Sequence, residues 1–268
     1  MAKPFLKWAG GKKWFVNRES ARFPQTYNRY IEPFLGGGSV FFFLEPHDAI
    51  LSDINQELIQ TYISFKEEFP SVFEYLKKHY RNDSPDYFYK VRETQTRTSH
   101  TAAARMIYLN KACFNGIYRV NRNGEFNVPY GKHKSINLIK KELEDSYRCL
   151  GNAQILCQDF EKTIDMSENG DFIFCDPPYA VINEENRFVA YNADSFSWDD
   201  QIRLANSLEK ASTRGVKIIM TNVDHPKVRA LYQDNPEFEL DSVDRHCFIS
   251  GTNSGRSVYS ELIVSANL

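Results

Sequence analysis

Polar and apolar positions along the chain alternate between strand-like and helix-like spacing. Residues 29–33, Arg-Tyr-Ile-Glu-Pro, read as a short buried strand that runs into a glycine turn, and Ala49-Ile-Leu-Ser-Asp53 reads as a second. Short apolar stretches closed by turn residues predict buried strands. Asn55 then opens a run with apolar side chains at Leu58, Ile59, Tyr62 and Phe65, the spacing of one helix face. Residues 69–114 continue mainly helical, with breaks at Asn82–Pro85 and around Arg97–Ser99. Alternation returns over 118–131, where Asn121-Arg122-Asn123-Gly124 predicts a hairpin turn. Five further stretches read as strands: 153–157, 171–175, 216–221, 238–243 and 257–264. Helical patterns at 199–213 and 225–234 separate several of them.

Strands alternating with helices predict an α/β fold around a mostly parallel sheet. The last two strands leave no room for a crossover helix, so the final strand is expected to pair antiparallel. The domain reading follows: residues 1–55 and 151–268 make the sheet domain, and 56–150 is a helical and hairpin insertion. With 268 residues, of which 42% are hydrophobic, the chain can bury a sizeable core. No stretch approaches the roughly 20 apolar residues of a membrane-spanning helix. The N-terminal sequence lacks the long apolar run of a secretory signal, so a soluble, cytoplasmic protein is expected. Cys113, Cys149, Cys157, Cys175 and Cys247 form no C-x-x-C pair and no zinc spacing with histidine. They are expected as buried free thiols, and no metal is assigned.

A formal charge of −2 argues at first against a nucleic-acid partner, but its distribution changes that picture. Residues 111–141 carry Lys111, Arg119, Arg122, Lys132, Lys134, Lys140 and Lys141 against Glu125, a local balance of +6. Residues 1–29 reach +6 again, with seven Lys/Arg against Glu19. The rest of the chain must then carry −14 for the whole to reach −2. Such segregation suits a one-sided footprint for a polyanion, although a solvated surface accounts for it equally well.

Three segments carry candidate chemistry. Glu32-Pro-Phe-Leu-Gly-Gly-Gly-Ser39 follows a strand, and its glycines permit close approach of backbone to a ligand at a helix start. It is not the dinucleotide G-x-G-x-x-G, because Phe41 stands at the third glycine, and Gly10-Gly-Lys12 is not a Walker A loop. Asp53 ends the next strand, where a carboxylate reaches ribose hydroxyls in doubly wound folds; the competing reading is an acid at the start of the following helix. Asp176-Pro-Pro-Tyr179 follows the apolar strand 171–175, at the carboxyl end where α/β sheets place their sites. Two prolines fix φ and remove two donors, so nearby carbonyls face outward as acceptors. Beside a carboxylate they suit an amine with two N–H groups, and Tyr179 offers a face for a planar base. A stiff turn after a core strand is the plain alternative.

Together these segments resemble the Dam-type DNA adenine-N6 methyltransferases over nearly the whole chain. Phe5-Leu-Lys-Trp-Ala-Gly-Gly-Lys12 is similar to that family's N-terminal signature, Glu32-Pro-Phe-Leu-Gly-Gly-Gly38 to its cofactor loop, and Asp176-Pro-Pro-Tyr179 to its catalytic motif. Arg119-Val-Asn-Arg-Asn-Gly-Glu-Phe-Asn-Val-Pro-Tyr-Gly131 resembles its DNA-reading hairpin. The resemblance implies a Rossmann-like methyltransferase sheet with a target-recognition insertion, S-adenosylmethionine as cofactor, and double-stranded DNA as partner of a monomeric enzyme. It implies cofactor contacts for Trp8, Lys12, Asp53 and Asp176, with Glu32, Phe34, Gly36 and Gly38 from the loop. Lys7 and Arg119 match guanine readers, while Asn115, Ile117 and Pro129 match other DNA contacts. Arg122, Lys132 and Lys134 add basic groups for phosphate. Lys132-His133 departs from the Arg-Tyr of close relatives, and Asn123 replaces a basic residue.

The chemistry expected is methylation of the N6 amine of a flipped adenine, within GATC, with Asp176 and the Pro177 carbonyl accepting the two amine hydrogens and Tyr179 stacking on the base. Residues 182–197, with Phe188 and Tyr191, are a candidate lid. Methylation of RNA or of a protein amide, and a catalytically silent DNA-binding regulator, are the alternatives.

Overall fold

A computed structural model describes residues 2–121, 123–131, 136–179, 196–246 and 258–268. In chain order its elements begin with α1 (Lys13–Glu19), β1 (Tyr30–Glu32), α2 (Ser39–Leu44), β2 (Ala49–Asp53), α3 (Gln56–Glu67), α4 (Phe69–Arg81), α5 (Pro85–Glu93), α6 (Ser99–Ala112) and α7 (Lys140–Cys149). They continue with β3 (Ala153–Cys157), α8 (Phe160–Asp165), β4 (Phe172–Cys175), α9 (Trp198–Thr213), β5 (Lys217–Val223), α10 (Pro226–Arg229), β6 (Glu239–His246) and β7 (Val258–Ala266). The chain forms two compact units. The first comprises Met1–Ala21, Leu35–His47 and Asp53–Cys157; the second comprises Arg22–Phe34, Asp48–Ser52 and Gln158–Leu268.

In the first unit α6 is the central helix, packed against α3, α4 and α5. Its residues from Ala103 to Ala112 are buried at all positions but Arg105 and Lys111, as a helix enclosed on every side requires. The boundaries expected from the sequence correspond to real caps. Asn55 accepts the Leu58 N–H at 3.0 Å to start α3. Ser84 accepts the Tyr87 N–H at 3.2 Å, with Pro85 in the first turn of α5. Around the hairpin expected over 118–131, the described residues form the bridges Cys113↔Tyr130 and Val120↔Phe126. At its tip the Asn121 N–H donates to the Glu125 carbonyl at 2.9 Å, and the Asn121 side chain accepts the N–H groups of Asn123 and Glu125. One carboxylate ties the hairpin down: Asp83 accepts the hydroxyls of Tyr108 on α6, at 2.8 Å, and Tyr130, at 3.0 Å.

The seven strands hydrogen-bond in the order β3-β2-β1-β4-β5-β7-β6. In the second unit β2, β1, β4 and β5 run parallel, with Ile31 level with both Ile50 and Ile173, and Ile173 level with Ile218. β7 is antiparallel to β5 (Met220↔Val264) and to β6 (Ser242↔Leu262). Residues 247–257 are fewer than the dozen or so a parallel crossover needs, which is why the last pairing turns back. All of β1 and β4 and the middle of β5 are buried, the continuous apolar pattern of a sheet covered on both faces.

The entrance to β4 is fixed electrostatically. Asp171 is 1% exposed and accepts the Arg29 guanidinium, at 2.6 Å from Nη2 and 3.2 Å from Nε. The same carboxylate accepts the backbone N–H of Arg29 at 3.1 Å and of Glu168 at 2.8 Å.

Three expectations need correction. α10 spans only Pro226–Arg229, and the chain turns from Ala230 onward, so the 225–234 helix is one short piece of what its periodicity suggested. Cys157 is exposed on β3 and Cys149 half-buried, while Cys113 and Cys175 are buried; apolar neighbours in sequence do not by themselves bury a residue. Cys247 lies outside the described residues. The basic segments are also less one-sided than their sums imply. Lys3 pairs with Glu142 at 2.5 Å, Arg22 with Asp241 at 2.5 Å, Lys140 with Glu144 at 3.4 Å and Lys141 with Asp145 at 2.8 Å.

Two outcomes follow from these interactions. Asp171→Ala leaves the Arg29 guanidinium without its main partner and should lower the unfolding free energy by about 3 kcal/mol; a urea midpoint unchanged from the parent would show that β4 does not depend on the pair. His79 stacks on Tyr108 at 5.0 Å and shares a 2.9 Å hydrogen bond with the Tyr87 hydroxyl. Burial, then the charges of Lys78 and Arg105, lower its pKa to about 4. The unfolded chain therefore binds the extra proton first: stability is full above pH 6.5 and falls as pH drops toward 4, by about 2–3 kcal/mol. That slope should be flatter in His79→Phe by chemical denaturation at each pH.

Candidate active site

In the first unit the glycine loop is held against the N-terminal signature. Gly36 has φ +47°, and a Cβ there would lie 2.8 Å from Trp8 Cδ1, so only glycine lets the loop approach the indole. The Gly36 N–H donates to Asp53 at 3.1 Å, and the Tyr62 hydroxyl donates to the Gly36 carbonyl at 3.2 Å. Gly38 directly precedes α2 and donates its N–H to Leu35 at 2.7 Å. The second Asp53 oxygen accepts the Asn55 N–H at 2.9 Å. Burial raises the Asp53 pKa, and the N–H donors of Asn55, Gly36 and Ile54 oppose the rise. The cap of α3 is Asn55 itself, so Asp53 is not the capping residue. It fixes the glycine loop, and a carboxylate with some four acceptor sites retains capacity beyond two N–H groups.

Trp8, Gly36, Gly38 and Asp53 are thus brought together. The Gly11 N–H closes a turn onto the Trp8 carbonyl at 3.2 Å, and buried Lys12 donates to the Gly10 carbonyl at 3.3 Å. The opposite side of this site is the root of the hairpin. Trp8 stacks on Tyr118 with centroids 4.8 Å apart and planes 19° apart, and the Tyr118 hydroxyl donates to Glu57 at 2.5 Å. A cradle that glycine alone permits, walled by an indole and closed by a strand-end carboxylate, fits a nucleoside-bearing group.

The neighbouring residue Lys7 belongs to the hairpin. Its backbone N–H and carbonyl are both held by the buried Asn110 side chain at 2.8 Å. A Cβ at Gly116 would lie 2.2 Å from Lys7 Cδ, so the hairpin root presses on the lysine stem. Lys7, Asn115, Ile117, Arg119 and Pro129 are all exposed. Arg119 Nε donates to Asn127 at 2.8 Å, while the Asn127 N–H donates back to the Arg119 carbonyl at 3.1 Å. Phe114, which sequence reasoning missed, is 44% exposed beside Asn115, whose φ is +56°. In a chain with 20 Phe, nothing in the sequence separates an exposed ring from the core ones. Arg122, Lys132, Lys134, Phe188 and Tyr191 lie outside the described residues.

In the second unit the Asp176-Pro177-Pro178-Tyr179 turn leaves the carboxyl end of β4, as expected. Three of its polar groups meet a side chain from a neighbouring element. Thr221 on β5, fully buried, donates to Asp176 at 3.0 Å. Gln201 on α9 donates to the Pro178 carbonyl at 3.1 Å and is itself oriented by Asn222 at 3.0 Å. The Tyr179 hydroxyl donates to Glu261 on β7. Burial, then the charges of Asp176 and Glu261, raise the Tyr179 phenol well above its usual pKa, so it stays neutral. Thr221, Gln201, Asn222 and Glu261 were not singled out from the sequence; a lone acid inside the apolar strand Tyr259-Ser-Glu-Leu-Ile-Val264 was the one available signal. Buried Glu32 accepts the Tyr30 hydroxyl at 2.9 Å, and Phe34 stacks on Phe160 with centroids 5.3 Å apart.

Residues 8–246 match the family model of the D12 class N6 adenine-specific DNA methyltransferases. The chain belongs to that family. It is 34% identical to the Type II methyltransferase M1.LlaDCHI of Lactococcus lactis subsp. cremoris, covering 98% of this chain and 95% of that one. It is 36% identical to the DNA adenine methylase of Serratia marcescens, covering 97% of each. The Type II methyltransferase M.MjaIII of Methanocaldococcus jannaschii is 36% identical over 82% of this chain and 84% of its own. As a D12-class enzyme the chain methylates adenine N6 in DNA, so the RNA, protein-amide and silent-regulator alternatives are set aside.

The Gly36–Trp8 contact is open to test by coupling. Gly36→Ala should cost about 2 kcal/mol of stability through the positive φ and the clash with Trp8. Trp8→Ala should then cost less in the Gly36→Ala background than in the parent, because removing the indole there also relieves the clash. Strict additivity by urea denaturation would mean that the two residues do not touch in solution.

Proposed function

We propose that this D12-class enzyme transfers a methyl group from S-adenosylmethionine to an adenine flipped out of duplex DNA, within GATC. The observation that carries this reading is the Asp176-Pro-Pro-Tyr179 turn at the carboxyl end of β4, with Asp176 oriented by Thr221. An aromatic amine is a weak nucleophile because its lone pair is delocalised into the ring. Asp176 accepts one N6 hydrogen and the Pro177 carbonyl the other, since Gln201 engages the Pro178 carbonyl. Both bonds localise the lone pair on nitrogen for in-line attack, by positioning and electrostatics. Tyr179 stacks on the flipped base. When bound, S-adenosylmethionine supplies an electrophilic methyl on a sulfonium. In the first unit Trp8, Lys12, Gly36, Gly38 and Asp53 would hold it, with Asp53 serving the ribose.

On the DNA side, Lys7 and Arg119 read guanines, Asn115, Ile117 and Pro129 line the interface, and Arg122, Lys132 and Lys134 meet phosphate. The exposed Phe114 ring adds a wedge of the kind that enters base steps. Target recognition is assigned to residues 56–150 and catalysis to 1–55 and 151–268. A palindromic site can be methylated one strand per visit, so a cytoplasmic monomer suffices.

Sequencing DNA exposed to the protein tests the site: N6-methyladenine is expected in GATC, and enrichment in another motif defeats that specificity. Asp176→Ala should lower methyl transfer at least a hundredfold, on the order of what a lost transition-state hydrogen bond costs, with DNA binding retained. Residual turnover within tenfold of the parent would sink the role given to the carboxylate. Arg119→Ala should lose about 1–3 kcal/mol of discrimination at one guanine, measured as relative rates on substituted sites.

A further inference from the structure

Glu261 is a buried carboxylate that the reaction above does not use. It is 3% exposed in β7, followed by the buried apolar residues Leu262, Ile263 and Val264. In register it lies across from Val223 of β5 and Val243 of β6. A carboxylate in such surroundings persists only when hydrogen-bonded. It accepts the hydroxyl of Tyr179, the last residue of the catalytic turn. Thr221, on the strand next to β7, donates to Asp176, the first residue of that turn. Adjacent strands therefore hold the two ends of one rigid turn by their side chains.

We propose that Glu261 is a positioning residue, which fixes the phenol of Tyr179 and thereby the plane of the ring that receives the flipped adenine. The inference rests on the reading that Tyr179 stacks on the base. A tyrosine ring is oriented by two side-chain torsions, and the second is broad when nothing holds the far end of the ring. The Glu261 carboxylate holds that end. A ring free to turn still offers apolar surface to the base but no longer sets the base plane, and with it the direction of the N6 lone pair. Misplacement of a reacting group by about 1 Å can cost a hundredfold in rate. The loss should accordingly fall on kcat and leave KM for DNA nearly unchanged.

The experiment compares Glu261→Ala, Glu261→Gln, Tyr179→Phe, Tyr179→Ala and the Tyr179→Phe/Glu261→Ala double variant on a short duplex carrying the methylation site. Folding is checked by thermal melting, and activity by steady-state and single-turnover methylation. Glu261→Ala and Tyr179→Phe should each lower kcat about ten- to a hundredfold with KM for DNA within about threefold of the parent. The double variant should be no more than about threefold below the slower single one, because both substitutions remove the same bond. Glu261→Gln keeps an acceptor oxygen and should recover to within about threefold of the parent. Should Glu261→Ala fail to fold, the comparison of Glu261→Gln with Tyr179→Phe carries the test: equal losses in both overturn the proposal. Parental kcat in a folded Glu261→Ala, or additive losses in the double variant, overturn the positioning role while an impaired Tyr179→Ala leaves the stacking reading standing. An unimpaired Tyr179→Ala would remove the stacking reading and the proposal together.

Discussion

A carboxylate placed at or within an apolar strand must be satisfied by hydrogen bonds or it destabilises the sheet that carries it. That requirement recurs at each point where this fold carries chemistry. Asp53 at the end of β2 takes the N–H groups of Gly36 and Asn55, and so shapes the glycine loop. Asp171, at the entrance of β4, takes Arg29 and sets where that strand begins. Asp176, at its exit, takes Thr221, and Glu261 takes the Tyr179 hydroxyl. Glu32 takes Tyr30. Apart from Tyr30, which shares β1 with Glu32, the donors come from neighbouring strands, loops or helix starts, so satisfying those charges also ties one element to another.

The N-terminal signature works by the same economy of contacts on a smaller scale. Lys7 and Trp8 are consecutive yet serve different neighbours. The Lys7 stem lies under Gly116 at the hairpin root, whereas Trp8 stands between Gly36 and Tyr118. Asn110, buried in α6, holds the Lys7 peptide from both sides and also donates to the Gly116 carbonyl at 3.3 Å. A shift of one residue in this segment would put the indole where the Lys7 stem presses on Gly116, and the lysine stem where the indole lies between Gly36 and Tyr118. This is the physical reason that so short a stretch of sequence is diagnostic.

Much of this was legible from residues alone, and the missed site contacts share one cause. Strands β1, β2, β3 and β4 could be read because buried parallel strands are short, apolar and closed by turn residues. The α4–α5 break was legible through Ser84-Pro85, a cap followed by a proline. The antiparallel turn of β7 followed from the length of the preceding connection. Pairings between distant positions were not legible. Glu261 meets Tyr179 across 82 residues, and Thr221 meets Asp176 across 45. Nothing local in the sequence marks Gln201 as a partner of Pro178. The same blindness inflated the basic segments, since the acids that neutralise Lys3 and Arg22 lie 139 and 219 residues away.

Those ion pairs also bear on how a chain of net charge −2 can bind a polyanion. Lys3, Arg22, Lys140 and Lys141 are engaged by carboxylates, so their charge contributes little to a field at the hairpin. Arg119 differs in kind, because its partner is the neutral amide of Asn127. That bond leaves the full positive charge in place while immobilising the guanidinium through Nε. The two Nη groups then remain as the parallel donor pair, and in the proposed reading they face O6 and N7 of a guanine. A carboxylate in place of Asn127 would hold the arginine as firmly and cancel much of its charge. The choice of an amide at this position thus separates orientation from neutralisation. Specificity in this hairpin is therefore attributed to a few oriented groups, and net charge is a poor guide to it.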